Sequence, residues 1–285
     1  MFPDRVMPFH FISYLYAHNT NTNAMKKYLK TDEWNIIEDK FHADNLRMSE
    51  SIFSLGNGRF GQRGNFEEPY SSNSYQGSFV AGIPFLDKTR VAWWKNGFPY
   101  YYTRIPNAAN WSSIHLRLID EELDLAQWDV ESFNRRLDMY DGISYRDVKV
   151  TSPRGNSLQL HVEHLANMAF PDLCLISYNV TSLNYSGKLS LLPLLEANLN
   201  ERSEQTEERI WNLLDSGVAH DCAYLWTQTR REDAQVCYAM TYQFYKNHKE
   251  ASHNPIRIEK GKQTGFSLGI HNPSEICCDS LFALL

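Results

Sequence analysis

Apolar and polar residues alternate with a period of two along most of this chain. Leu116 and Leu118 alternate with His115 and Arg117, and Asp120-Glu121-Glu122 then reads as a polar turn into Leu123-Asp124-Leu125. Val148 and Val150 alternate with Asp147 and Lys149. After a turn at Pro153-Arg154-Gly155-Asn156, Leu158, Leu160 and Val162 alternate with Gln159, His161 and Glu163. Cys174, Ile176, Tyr178 and Val180 form one face of a further run, and Val236, Tyr238, Met240, Tyr242 and Phe244 form a late one. Successive side chains of a strand point to opposite faces, so this pattern predicts half-buried antiparallel strands. Turns at short intervals predict a sandwich with meander connections. Helical signal is sparse. Only Glu201 to Leu214, acidic early and apolar late, reads as a short surface helix or a charged loop.

No repeat, low-complexity tract or Gly/Ser linker divides the chain, which predicts one large β domain over residues 25–265. Ahead of it, Pro8 to Ala17 is apolar but broken by His10, and too short to span a bilayer as a helix. The polar spacer Asn19 to Asn23 then precedes Met25-Lys26-Lys27, so residues 1–24 read as an extension without a fold of its own. At the other end, residues 266–285 contain Cys277-Cys278 and finish on Leu281-Phe282-Ala283-Leu284-Leu285. A bare apolar end is a liability unless it packs on something. The segment is therefore expected to be an atypical tail, of the kind left by truncation or an altered reading frame.

Composition narrows the function classes. Of 285 residues, 42% are hydrophobic and 13% aromatic, enough to fill a substantial core. A net charge of −6 lacks the basic field of a nucleic-acid binder. The five cysteines are odd in number and form no C-x-x-C pair, which reads as reduced thiols in a cytoplasmic protein. Glycosylation at Asn110-Trp111-Ser112 or Asn179-Val180-Thr181 would need a secretory context that nothing else supports.

Several constellations invite chemistry. Glu67 and Glu68 are adjacent carboxylates, but on a strand they would point to opposite faces and could not flank one bond, which favours a structural or solvent-facing role. His161, Glu163 and His164 imitate a metal triad, yet strand geometry puts His164 on the other face, and no metal ligands are assigned. No Gly-x-Ser-x-Gly nucleophile elbow occurs. Trp93, Trp94 and Trp111, with Tyr100, Tyr101 and Tyr102, suit either a core or domain interface, or the stacking of sugar rings. Glycines 56, 58, 61 and 64 match neither dinucleotide nor Walker spacing and read as a strand–turn–strand corner.

That glycine-rich run, Glu50-Ser51-Ile52-Phe53-Ser54-Leu55-Gly56-Asn57-Gly58-Arg59-Phe60-Gly61-Gln62-Arg63-Gly64-Asn65-Phe66-Glu67-Glu68, resembles a signature of family 65 glycoside phosphorylases. Three further segments resemble the family in the same order. They are Tyr75 to Ile83, Asp87 to Gly97, which is similar to the maltose-phosphorylase-like bacterial branch, and Pro106 to Trp111. At the following hairpin the family commonly has Ile-Asp-Gly-Glu, whereas Ile119-Asp120-Glu121-Glu122 lacks the glycine.

The resemblance spans roughly residues 26–265. It implies an all-β fold, a large antiparallel super-β-sandwich of the galactose-mutarotase-like kind with few short helices, followed in the complete enzyme by a linker and an (α/α)6 barrel. It also implies inverting phosphorolysis of an α-glucosidic disaccharide such as maltose, with inorganic phosphate as cosubstrate and no other cofactor. The general-acid glutamate belongs to the barrel, so no catalytic residue is assigned here. Arg59, Arg63, Trp93, Trp94 and Trp111 are the candidates for carbohydrate or domain-interface contact. The expected partners are the missing barrel, the disaccharide through the complete enzyme, and a second copy in a homodimer; neither nucleic acid nor membrane is expected. The competing readings are a stand-alone carbohydrate-binding sandwich without catalysis and a non-functional truncation product.

Overall fold

The computed structural model describes residues 28–89, 97, 99–203, 207–251, 255–271 and 275–284. The expected extension over residues 1–24 lies outside the described residues.

The chain begins with β1 (Lys30–Thr31), β2 (Asn35–Glu38), a 3-10 turn at Ala43–Asn45 and the helix α1 (Leu46–Ile52). Then come β3 (Leu55–Gly56), β4 (Phe60–Gln62), β5 (Ser78–Val80), β6 (Phe85–Lys88) and β7 (Tyr101–Arg104). The central strands are β8 (Asn110–Arg117), β9 (Asp129–Asp138), β10 (Ile143–Thr151), β11 (Ser157–Ala166), β12 (Leu173–Ser182) and β13 (Lys188–Glu196). β14 (Trp211–Ala219), β15 (Cys222–Thr229), β16 (Gln235–Lys246) and β17 (Lys249–Glu250) follow. The last are β18 (Ile256–Lys260), β19 (Gln263–His271) and β20 (Glu275–Leu284).

A large sheet has the order β1-β2-β9-β10-β11-β12-β20-β16-β15-β14, with β17 beside β16. A second sheet, β18-β19-β13-β8, lies across its inner face, and two small sheets, β3-β4-β5 and β6-β7, complete the described residues. The alternation read from the sequence decides which side chains point inward. Val148, Val150, Leu158, Leu160, Val162, Ile176 and Val180 of the large sheet are buried, as are Ile114, Leu116, Leu189, Leu191, Phe266 and Leu268 of the smaller one. Together they form a single core. At roughly 25 cal/mol per Å2 of apolar surface removed from water, burial of this kind is the main driving force for closing the two layers. The expected all-β sandwich is borne out. No helix among the described residues is long and apolar enough to cross a membrane.

Three expectations need correction, and a fourth is met. Of the two readings of Glu201 to Leu214, the described residues exclude the helix and leave a charged loop only as far as Ile210: Arg202 and Arg209 form an isolated bridge, and Trp211, Asn212 and Leu213 pair with β15. Strand pairing satisfies their backbone groups with a buried partner, which a short surface helix would not do. The hairpin expected at Leu116–Leu125 is cut short: it closes through the bridge of Arg117 to Glu122 and the backbone bonds from Leu118 to Glu121 and from Leu123 to Leu116. It stops there because Asp124 accepts the Ala126 amide at 2.9 Å in an Asx turn that redirects the chain. The expected strand–turn–strand corner at the glycines is present as β3 paired with β4, and residues 46–52 ahead of it form α1. Finally, the sandwich does not end at residue 265. β19 pairs with β13, and β20 is inserted between β12 and β16 in the middle of the large sheet.

Candidate functional site

The Gly-rich run folds into α1 followed by the β3–β4 hairpin, and each candidate side chain on it has a structural partner. Asn57 fixes the hairpin turn, its Oδ1 accepting the amides of Arg59 at 3.0 Å and Phe60 at 2.8 Å. Its Nδ2 donates to the carbonyls of Asn167 and Pro171 and so ties the hairpin to the β11–β12 loop. Arg59 adds a half-exposed ion pair to Asp172 on that loop, at 3.0 Å. Pairs of this kind are worth about 0–1 kcal/mol.

Arg63 works as a clamp. It donates to the carbonyls of Tyr75 and Arg47, both at 2.9 Å, and its guanidinium lies 5.4 Å from the centre of the Tyr75 ring. Its side chain fills the space beside Gly77, where a Cβ would come within 2.3 Å of it. Trp111 is 3% exposed and packs against Phe60 at 5.9 Å, so its ring belongs to the core and is not available to a sugar or an adjoining domain. Trp93 and Trp94 lie outside the described residues.

Glu67 and Glu68 overturn the strand argument made for them. They sit in a bend rather than a strand, and both carboxylates converge on Arg146. Arg146 donates to both Glu68 oxygens, at 2.8 and 2.9 Å, and also to Glu67. The Tyr178 hydroxyl donates to Glu68 at 2.5 Å, and His164 Nε2 lies 2.7 Å from Glu67. Burial by itself raises the Glu67 carboxyl. The Arg146 guanidinium and His164 outweigh that and hold it down at about 2. Burial likewise opposes the Arg146 charge, but the two carboxylates push its pKa up instead. Burial and the Glu68 carboxylate raise the Tyr178 hydroxyl well above its ordinary value.

The network continues along the sheet. Glu38 is the register partner of Arg135, and Arg135 is the register partner of Arg146. Arg135 donates to Glu38 at 2.6 and 3.1 Å and to the Gly64 carbonyl at 2.8 Å. Ser49 of α1 also donates to Glu38, at 3.0 Å. A row of charges thus crosses the inner face of β2, β9 and β10, neutralised by carboxylates from β2 and from the end of the Gly-rich run. Arg135 and Arg146 carried no expectation, although a signal existed. Arg146 is in phase with Val148 and Val150, and Arg135 with Phe133 and Leu137, so both arginines fall on the apolar face of their strands. A charge in that phase requires a buried partner.

His161 and Glu163 do share the outer face, 3.0 Å apart, while His164 faces inward to Glu67. Among the described residues no group of His, Cys, Asp and Glu is placed to hold a metal ion.

A family model described as glycosyl hydrolase family 65, N-terminal domain, matches residues 36–271. The maltose phosphorylase of Bacillus subtilis (strain 168) is 35% identical over 204 residues, which are 72% of this chain and 27% of that protein. An alpha,alpha-trehalose phosphorylase of Thermoanaerobacter brockii is 29% identical over 66% of this chain and 24% of its own length. A kojibiose phosphorylase of the same organism is 25% identical over 81% of this chain and 29% of its own length. A solved structure titled putative kojibiose phosphorylase from human microbiome shares the fold, with a TM-score of 0.76 at 24% identity, covering 90% of this chain and 33% of that one. The chain therefore spans between about a quarter and a third of the length of these proteins.

Proposed function

The chain belongs to glycosyl hydrolase family 65, through that family's N-terminal domain, and from this membership we propose that it serves as the β-sandwich of a glycoside phosphorylase, supporting the chemistry rather than performing it. The reaction is phosphorolysis of an α-glucosidic disaccharide, in which phosphate takes the glucosyl group and the second sugar leaves. Maltose is the first substrate to test, because the relative with 35% identity is a maltose phosphorylase.

One observation carries the supporting role. An inverting enzyme of this type needs a carboxylic acid, kept protonated by its surroundings, to protonate the leaving oxygen. Glu67, the carboxylate of this domain whose surroundings shift it, is in the opposite state. Glu67 is held at about 2 by charges around it, and Glu68 is fully engaged by Arg146 and Tyr178. These groups brace the Gly-rich run against the sheet, and the general acid is expected from the catalytic barrel.

The test measures glucose 1-phosphate release from maltose, trehalose and kojibiose in the presence of phosphate. The chain alone is compared with a fusion in which it replaces the N-terminal domain of the Bacillus subtilis maltose phosphorylase. The expected result is no release by the chain and phosphate-dependent release from maltose by the fusion. Release by the chain alone would overturn the supporting role, and a folded fusion inert on all three sugars would overturn the phosphorylase assignment.

A further inference from the structure

A cleft of about 380 Å3 lies between the segment that follows the Gly-rich run and the strands β8 and β13. That volume falls within the roughly 300–1,000 Å3 of small-molecule sites. One wall carries Asn110 and His115 of β8 and Glu196 of β13. Asn110 and Glu196 are register partners, with Asn110 Nδ2 3.4 Å from Glu196 Oε2. Gln263 donates to the other Glu196 oxygen at 2.5 Å, and His115 Nε2 lies 3.9 Å from it. The opposite wall carries Gln76 and Tyr70. The Gln76 amide nitrogen is buried and has no hydrogen-bond partner. The Tyr70 ring is held edge-on against Phe66, 5.7 Å between centres.

This donor and acceptor set selects a chemical class. No Arg or Lys lines the cleft, and Glu67, Glu68 and Glu196 do, so an anion such as a phosphate ester is disfavoured. Among the described residues no cluster of His, Cys, Asp and Glu is placed here to hold a metal ion. What fits is a neutral molecule dense in hydroxyls. A carboxylate accepts from hydroxyls, carboxamides both donate and accept, and an aromatic ring covers an apolar C–H face. We infer that the cleft walled by Asn110, Glu196, Gln76 and Tyr70 binds a pyranose ring of a neutral saccharide. That the ring is a glucosyl unit rests on the proposed phosphorylase role; that the ligand is a neutral polyol rests on the cleft alone.

The test titrates the full chain with glucose, maltose, myo-inositol and glucose 1-phosphate by isothermal calorimetry and saturation-transfer NMR. The expected result is saturable binding of glucose or maltose, with glucose 1-phosphate at least about tenfold weaker because its charge meets the carboxylates. Glu196→Gln should weaken maltose binding about tenfold or more through loss of a charge-assisted acceptor. Because Glu196 also holds Gln263, a second variant is placed at Ser72, an exposed residue at the cleft mouth. Ser72→Trp should block binding and leave the melting temperature unchanged. No saturable binding of any neutral polyol, equal binding of glucose 1-phosphate and glucose, or binding indifferent to Ser72→Trp would each overturn the inference. Inositol binding without glucoside binding would overturn the glucosyl assignment and keep the polyol site. An active fusion whose isolated sandwich binds no sugar removes this site and leaves the proposed function standing. Sugar binding beside an inert fusion does the reverse.

Discussion

Arg146 is buried on the inner face of β10 with two carboxylates and a tyrosine hydroxyl around it. Removing it should be far more costly than its net contribution, because the partners stay behind. Arg146→Met leaves Glu67 and Glu68 adjacent and out of water without their cation, and should destabilise the fold by about 3–5 kcal/mol in urea unfolding. A loss below about 1 kcal/mol would mean that the network is not held as described. The same pair sets a pH dependence. Glu67 has a folded pKa of about 2, below its ordinary 4.5, so the folded state prefers the ionised form. Its contribution to stability is therefore fully present above about pH 4.5 and is lost as pH falls through that window towards 2. Urea midpoints should drop between pH 4.5 and 2.5, and the Glu67→Gln variant should show a shallower drop. Identical slopes would assign the acid sensitivity elsewhere.

The strand β19 shows how one residue's lack of a side chain permits an element to pair. Gly265 faces Leu194 of β13, and a Cβ there would lie 2.2 Å from the Pro193 carbonyl oxygen and 3.1 Å from the Leu194 Cα. Both neighbours are backbone, so neither can swing aside. Gly265→Ala should push β19 away from β13 and cost about 1–3 kcal/mol, the range for overpacking, as read from thermal or urea unfolding. A neutral result would mean that the two strands have slack. β20 teaches a different lesson. Its inward residues Ile276 and Cys278 are fully buried, and it closes the gap between β12 and β16. As a sequence this stretch looked like a tail, because alternation identifies a strand but says nothing of which neighbours it joins. Likewise Trp211 to Leu213 showed no strand signal ahead of its pairing with β15, and the acidic residues before it imitated a helix start.

At the scale of the whole molecule, buried side chains of the large sheet and of the β18-β19-β13-β8 sheet share one core. Neither layer can lose its inner face to water without exposing the other. Unfolding followed by tryptophan fluorescence and by far-ultraviolet circular dichroism should therefore give coincident transitions. Two separated transitions would show that the layers hold independent cores. The late strands belong to that same core, so deleting residues 275–285 should abolish cooperative unfolding rather than trim a terminus, and a deletion variant with an intact melt would sink this view of β20.

The sequence by itself determined the layer type, the inward-facing residues and the family, because period-two alternation and four ordered motifs are local patterns. It also carried a readable trace of the buried charges, since Arg135 and Arg146 stand in phase with apolar neighbours on their strands. Which carboxylates answer them was decided only in three dimensions. Glu67 and Glu68 lie 78 or more residues from Arg146 along the chain, and a bend rather than a strand turns both inward. Trp111 was fully legible as an aromatic residue, yet only packing against Phe60 made it core. The cleft beside Glu196 had no sequence signal at all, because its walls come from segments that meet only when the sheets close. Local pattern encodes which face a residue takes, and tertiary closure selects which residues meet there.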